Sequence, residues 1–116
     1  MNTTSDIARH YSRMQLETAP HPQIIWQMHV KAAQLVKQAA TVETGIRRFL
    51  LTRAQNLLAE LESSLKVNDE ISKGIFYLYD YCYCLLDSDS AENHRLAYNL
   101  LSTLRDTFGA LLKKRI

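Results

Sequence analysis

After Pro22 the chain contains no further proline, and it holds only three glycines, Gly45, Gly74 and Gly109, in its whole length. The two prolines sit together in Ala19-Pro20-His21-Pro22. An all-β fold needs a turn every few residues, and this chain lacks the residues that build them. With 116 residues it has enough apolar material for one hydrophobic core and not for two. The expectation is therefore a single all-α domain.

Apolar spacing divides the chain into helices. From Gln23 onward Ile25, Met28, Ala32, Leu35, Ala39 and Val42 recur in steps of three and four, the seam of a bundle helix, with Pro22 suited to its first turn. Thr41-Val42-Glu43-Thr44-Gly45 is a plausible break. A second stripe is Ile46, Leu50, Ala54, Leu57, Leu61 and Leu65, ending ahead of the capping candidates Asn68 and Asp69. A last helix begins after Asp87-Ser88-Asp89-Ser90, where Asp89 and Glu92 have capping-box spacing, and carries Ala97, Leu100, Leu104, Thr107 or Phe108, and Leu111.

Between them lies Ile75–Leu86, IFYLYDYCYCLL, with tyrosine at 77, 79, 81 and 83. Strict alternation is the mark of a half-buried strand, and tyrosine favours strands. No turn signal separates Glu70 from Asp87, however, and the segment exceeds an ordinary strand. At helical spacing Ile71, Ile75, Leu78, Cys82 and Leu85 form a seam, so the run is read as a helix. The prediction is an antiparallel four-helix bundle with helices at about 22–42, 45–66, 69–87 and 90–114, preceded by a short helix or arm over 1–20.

Several chemistries are set aside. A net charge of +2 is too small to argue for nucleic acid, and Lys113-Lys114-Arg115 suits a helix C-terminus. No apolar run approaches the ~20 residues of a membrane span, and no signal peptide is expected from MNTTSDIARHYS. Cys82 and Cys84 lie about 200° apart on a helix, so their sulfurs cannot share a metal. Glu92-Asn93-His94 lacks di-iron spacing, and His29-Val30-Lys31-Ala32-Ala33 departs from the His-x-x-Lys-Gly pattern of histidine phosphotransfer bundles. No phosphate loop or nucleophile elbow is present. No catalytic residues, metal or cofactor are expected, and the chain reads as a cytoplasmic non-enzyme.

Four stretches together resemble the bacterial flagellin export chaperones, the FliS family. These are Glu70-Ile71-Ser72-Lys73 with Leu78-Tyr79-Asp80-Tyr81, Arg53-Ala54-Gln55-Asn56-Leu57-Leu58-Ala59-Glu60-Leu61, Leu104-Arg105-Asp106-Thr107-Phe108, and Tyr11 ahead of Thr18-Ala19. The resemblance spans nearly the whole chain in the right order. It implies a cytoplasmic helical bundle that binds the disordered C-terminal segment of flagellin, prevents premature polymerisation and delivers flagellin to the flagellar export apparatus. Where the family usually carries a Leu-Tyr-acid-Gly-Ala-like stretch, this chain reads Met28-His29-Val30-Lys31-Ala32, which keeps a FliS-like bundle with a different protein partner as the alternative.

The tyrosines supply the candidate binding surface. Tyr79 and Tyr83 adjoin the seam and are either core or rim. Tyr77 and Tyr81, one turn apart on the other flank, are expected to line a surface groove, because tyrosine offers a large apolar area at low entropic cost. Leu51 and Leu58, off the expected seam of their helix, and Trp26, off its own, are expected to complete it. Tyr11 joins the set through the resemblance.

Overall fold

The computed structural model describes residues 22–115, with side chains to Lys113. Among the described residues there are four helices: α1 (Pro22–Ala39), α2 (Thr44–Ser63), α3 (Glu70–Asp87) and α4 (Ala91–Arg115). Each packs on its neighbours in a ring, α1 on α2, α2 on α3, α3 on α4 and α4 on α1, while the diagonal pairs keep their backbones apart. This is the all-α antiparallel bundle expected from the periodicity.

The ends of the helices are set by identifiable side chains. α1 stops at Ala39, short of Val42, because Arg47 caps it from the next helix: its Nε donates to the Ala39 carbonyl at 3.0 Å and its Nη2 to Val42 at 2.9 Å. A cation there also faces the negative end of the helix dipole. α3 opens with a capping box in which the Asp69 carboxylate accepts from the Ser72 N–H at 2.8 Å and Ser72 Oγ accepts from the Asp69 N–H at 3.1 Å. At α4 the cap is Ser90, whose Oγ accepts from the Asn93 N–H at 3.2 Å. That corrects the expected pairing of Asp89 with Glu92. Asp89 instead points to Arg48 at 3.5 Å, an exposed ion pair of little energetic weight.

The α3–α4 corner is held from α2. Arg48 donates to the Leu86 and Ser88 carbonyls at 3.0 and 3.1 Å, and His94 donates through Nε2 to Ser88 at 2.7 Å. Gln55, buried beside Ala54, donates through Nε2 to the Tyr83 carbonyl and to the Asp87 carboxylate, each at 3.2 Å. The last carbonyls of a helix have no partner within it, so the Arg48 bond to Leu86 satisfies a group that would otherwise be orphaned. The Ala54-Gln55 pair thus joins α2 to α3: a small residue permits close approach and an amide locks it.

The core corrects the expected seams on α2 and α3, and on α4 it buries Leu101 where Leu100 was expected. On α2 the buried residues are Leu51, Ala54, Gln55, Leu58 and Leu61, while Ile46 is exposed and Leu50 and Leu57 are half-buried. Leu51 and Leu58 are therefore interior residues and line no surface. Both stripes share Ala54 and Leu61, and a rotation of about one residue, ~100°, separates them, which apolar spacing alone does not resolve. On α3 the inward line is Ser72, Ile75, Tyr79, Cys82, Leu85 and Leu86; Ile71 is exposed and Leu78 half-buried.

Candidate protein-binding surface

On a helix, residues two apart are separated by about 200° of rotation, so alternating tyrosines fall on opposite sides. α3 obeys this. Tyr79 is fully enclosed, whereas Tyr77 and Tyr81 are 65% and 52% exposed on the outer face. Tyr83, one turn beyond Tyr79, lies at the rim and is partly exposed. Phe76 links the two environments: it packs against the core and meets the Tyr77 ring edge-on, with centroids 6.0 Å apart and planes at 79°. Gly74, one turn before Leu78, has open space where a Cβ would stand, so the backbone is bare beside the rings. Exposed Ile71 on α3 and exposed Leu96 on α4 add further apolar area on these two helices.

Trp26 belongs to another part of the molecule. A Cβ at Gly109 would stand 2.9 Å from the indole Nε1, so the missing side chain on α4 provides the seat for the Trp26 ring. The tryptophan is partly buried and packs at the α1–α4 contact, away from the outer face of α3. Tyr11 lies outside the described residues. Of the five described residues expected to line one groove, only Tyr77 and Tyr81 share a surface. Exposed Ile24 on α1 and exposed Phe49 on α2 were not expected from spacing, and Ile46, expected in the α2 seam, is exposed as well. The Phe49–Arg53 spacing of four, which lays the guanidinium 5.9 Å above the ring, was the signal that could have found Phe49.

Tyr79 is fixed from across the bundle. Its hydroxyl donates to His29 Nε2 at 3.0 Å, and His29 Nδ1–H donates to the Ile25 carbonyl at 2.8 Å, an assignment that follows because a carbonyl only accepts. The imidazole also lies against Phe108 of α4, with ring centroids 4.8 Å apart. His29 is completely buried, and burial pulls its pKa down to about 4, with the Ile25 hydrogen bond opposing the shift. A neutral, enclosed imidazole of this kind is no phosphoacceptor. It is a polar pin between the diagonal helices α1 and α3.

The rest of the chemistry is quiet. Burial, and then the charge of Asp80, pushes the Glu62 carboxyl above its usual range. Cys82 is buried, its thiol pushed up to about 12 by burial, and Cys84 is exposed. Among the described residues no three His, Cys, Asp or Glu side chains gather as metal ligands. None of the described helices is long and apolar enough to cross a membrane.

The family model described as Flagellar protein FliS matches residues 4–115. The chain belongs to the FliS family. That places it among flagellar export chaperones, in agreement with the four motifs carried by α2, α3, α4 and the segment before α1. No curated protein and no solved structure matches it. Within this FliS chain the divergent Met28–Ala32 stretch has a structural account: His29 and Ala32 face the core, and His29 is matched by Tyr79.

Proposed function

We propose that this FliS-family protein acts in the cytoplasm as a chaperone for flagellin. It binds the disordered C-terminal segment of flagellin, keeps it from polymerising early and presents it to the flagellar export apparatus. The observation that carries this reading is the pair Tyr77 and Tyr81, held one turn apart on the outside of a helix whose opposite face is locked into the core. A disordered segment must recover its ordering entropy by burying apolar surface, and aromatic rings on a rigid helix give that area without losing freedom of their own. The amphipathic segment lies along the outer face of α3, with Ile71 and Leu96 extending the contact.

The alternative of a different partner drew its motive from the altered Met28–Ala32 stretch. His29 and Ala32 face the interior, while Met28 and Val30 are half-buried and Lys31 is exposed, so the change at His29 is accounted for by the core and calls for no new partner. Flagellin therefore remains the favoured client. The test is co-expression with the flagellin C-terminal segment followed by size-exclusion chromatography. Co-elution of the intact protein, lost when Tyr77 and Tyr81 are both changed to Ala, supports the proposal. An intact protein that elutes alone sinks it.

A further inference from the structure

One line of side chains on α2 faces away from the bundle. Ile46, Phe49, Arg53, Asn56, Glu60 and Ser63 recur in steps of three and four, opposite the buried Leu51 and Leu58, and all are exposed. Such steps are the seam of a helix that packs on another helix. Phe49, 62% exposed, is the largest apolar group on the line, and the Arg53 guanidinium lies over its ring, on the side away from Glu60. Arg53 and Glu60 stand about 10 Å apart along the axis, and among the described residues neither charge is paired. The other charges of α2 are engaged elsewhere: Arg47 and Arg48 hold backbone carbonyls, and Glu62 faces Asp80 of α3. The stripe therefore carries one cation and one anion with an amide between them. Just outside the helix, Glu43 stands at its N-terminal end and Lys66 beyond its C-terminal end.

We propose that this stripe docks a second copy of the same chain, α2 packing antiparallel on α2 about a two-fold axis beside Asn56. The order of the charges selects that occupant. In a pair centred there, Arg53 of each copy stands opposite Glu60 of the other, because a two-fold axis makes every contact reciprocal. A parallel pair would set Arg53 on Arg53 and Glu60 on Glu60, which repel. Asn56 meets its own symmetry mate, and since an amide both donates and accepts, the two can bond each other. Ile46 comes level with exposed Val67 of the second copy, and Phe49 with its Ser63-Ser64. The flanking charges agree. Glu43 of one copy lies toward Lys66 of the other. Lys31 of α1, which the Arg47–Ala39 contact brings level with about residue 55 of α2, comes level with Glu60 of the second copy. The contact is one helix wide, smaller than the ~1,600 Å² of a standard interface, so the pair is a reversible one. Asp87, bonded to Gln55, marks the side of α3 that borders α2, and Tyr77 and Tyr81 lie roughly 80–120° further round. Pairing thus leaves the tyrosine face open, and the inference does not rest on flagellin being the client.

Sedimentation equilibrium of the full chain, from about 10 μM to about 1 mM, reads the association. The wild type should pass from monomer to dimer across that range, and NMR shifts between dilute and concentrated samples should centre on Ile46, Phe49, Asn56 and Glu60. Arg53→Glu and Glu60→Arg should each weaken pairing at least about ten-fold, since either change sets like charges across the axis. An equimolar mixture of those two variants should pair at least as well as the wild type, because both charge contacts of the mixed dimer join opposite signs. Phe49→Ala should weaken pairing at an unchanged melting temperature. A wild type that stays monomeric up to about 1 mM would overturn the proposal. So would a dimer indifferent to both charge changes, variants that gain nothing on mixing, or shifts centred on Tyr77 and Tyr81. Because no flagellin enters the experiment, its failure is distinct from failure of the chaperone reading.

Discussion

Tyr79 and Tyr81 are two residues apart on one helix and have opposite fates. The first is sealed in the core with its hydroxyl on His29, and the second stands in solvent one turn from Tyr77. Residue type and local sequence are nearly the same, so the difference lies in what stands opposite. Position 79 faces an imidazole across the bundle that can accept a hydrogen bond; position 81 faces outward. A buried tyrosine needs a partner for its hydroxyl, whereas an exposed one has water and leaves its ring available. The same side chain is a structural bolt in one place and a contact surface in the other.

The sharpest way to break this comparison is to truncate each kind of residue. Tyr79→Ala should cost about 3–5 kcal/mol of folding free energy, and Leu58→Ala about 2–5 kcal/mol, through the cavities left behind. Urea denaturation followed by circular dichroism measures both. A loss below 1 kcal/mol at Leu58 would mean that the residue lies outside the core.

On the outer face the effect should appear in binding. Tyr77→Ala and Tyr81→Ala should each weaken association with a flagellin tail peptide by about 2 kcal/mol. Stability should stay within about 0.5 kcal/mol, as expected for exposed positions. Calorimetric titration beside a thermal melt separates the two. Tyrosine changes that unfold the protein while leaving affinity intact would reverse the roles assigned to the two faces.

Acid should act on the inner face alone. The His29 pKa, about 4 in the fold, lies below the 6.5 of a free imidazole, so the unfolded chain binds the proton more readily. The stability that His29 contributes is complete above pH 6.5 and is lost as the pH falls from there toward 4. The full loss is on the order of 3 kcal/mol, at about 1.4 kcal/mol for each unit of displacement. Comparing melts of the wild type with His29→Gln across that window isolates it. Parallel pH profiles in the two proteins would show that His29 takes its proton without unfolding.

The smallest expected change is Tyr79→Phe, which keeps the ring and removes the donor to His29. About 1–2 kcal/mol should be lost, because the imidazole Nε2 is left buried without that donor. A neutral result would assign the whole contribution of Tyr79 to its ring.

Much of this was written in the chain. The scarcity of breakers and the three-and-four spacing specify four helices, and Asp69 announces the start of α3, because these are local properties of backbone and caps. The outward direction of Tyr77 and Tyr81 was equally legible, being opposite a strong apolar seam. Tertiary structure decided the rest. α2 carries leucines over so much of its circumference that periodicity selected Leu50 and Leu57, whereas packing buried Leu51 and Leu58. Tyr79 displaced Leu78 from the centre because His29, fifty residues away, could satisfy its hydroxyl. Trp26 turned to α4 because Gly109 left room for an indole. Each of these outcomes depends on a residue on another helix, and spacing within one helix carries no information about the shape or hydrogen-bonding capacity of its neighbours.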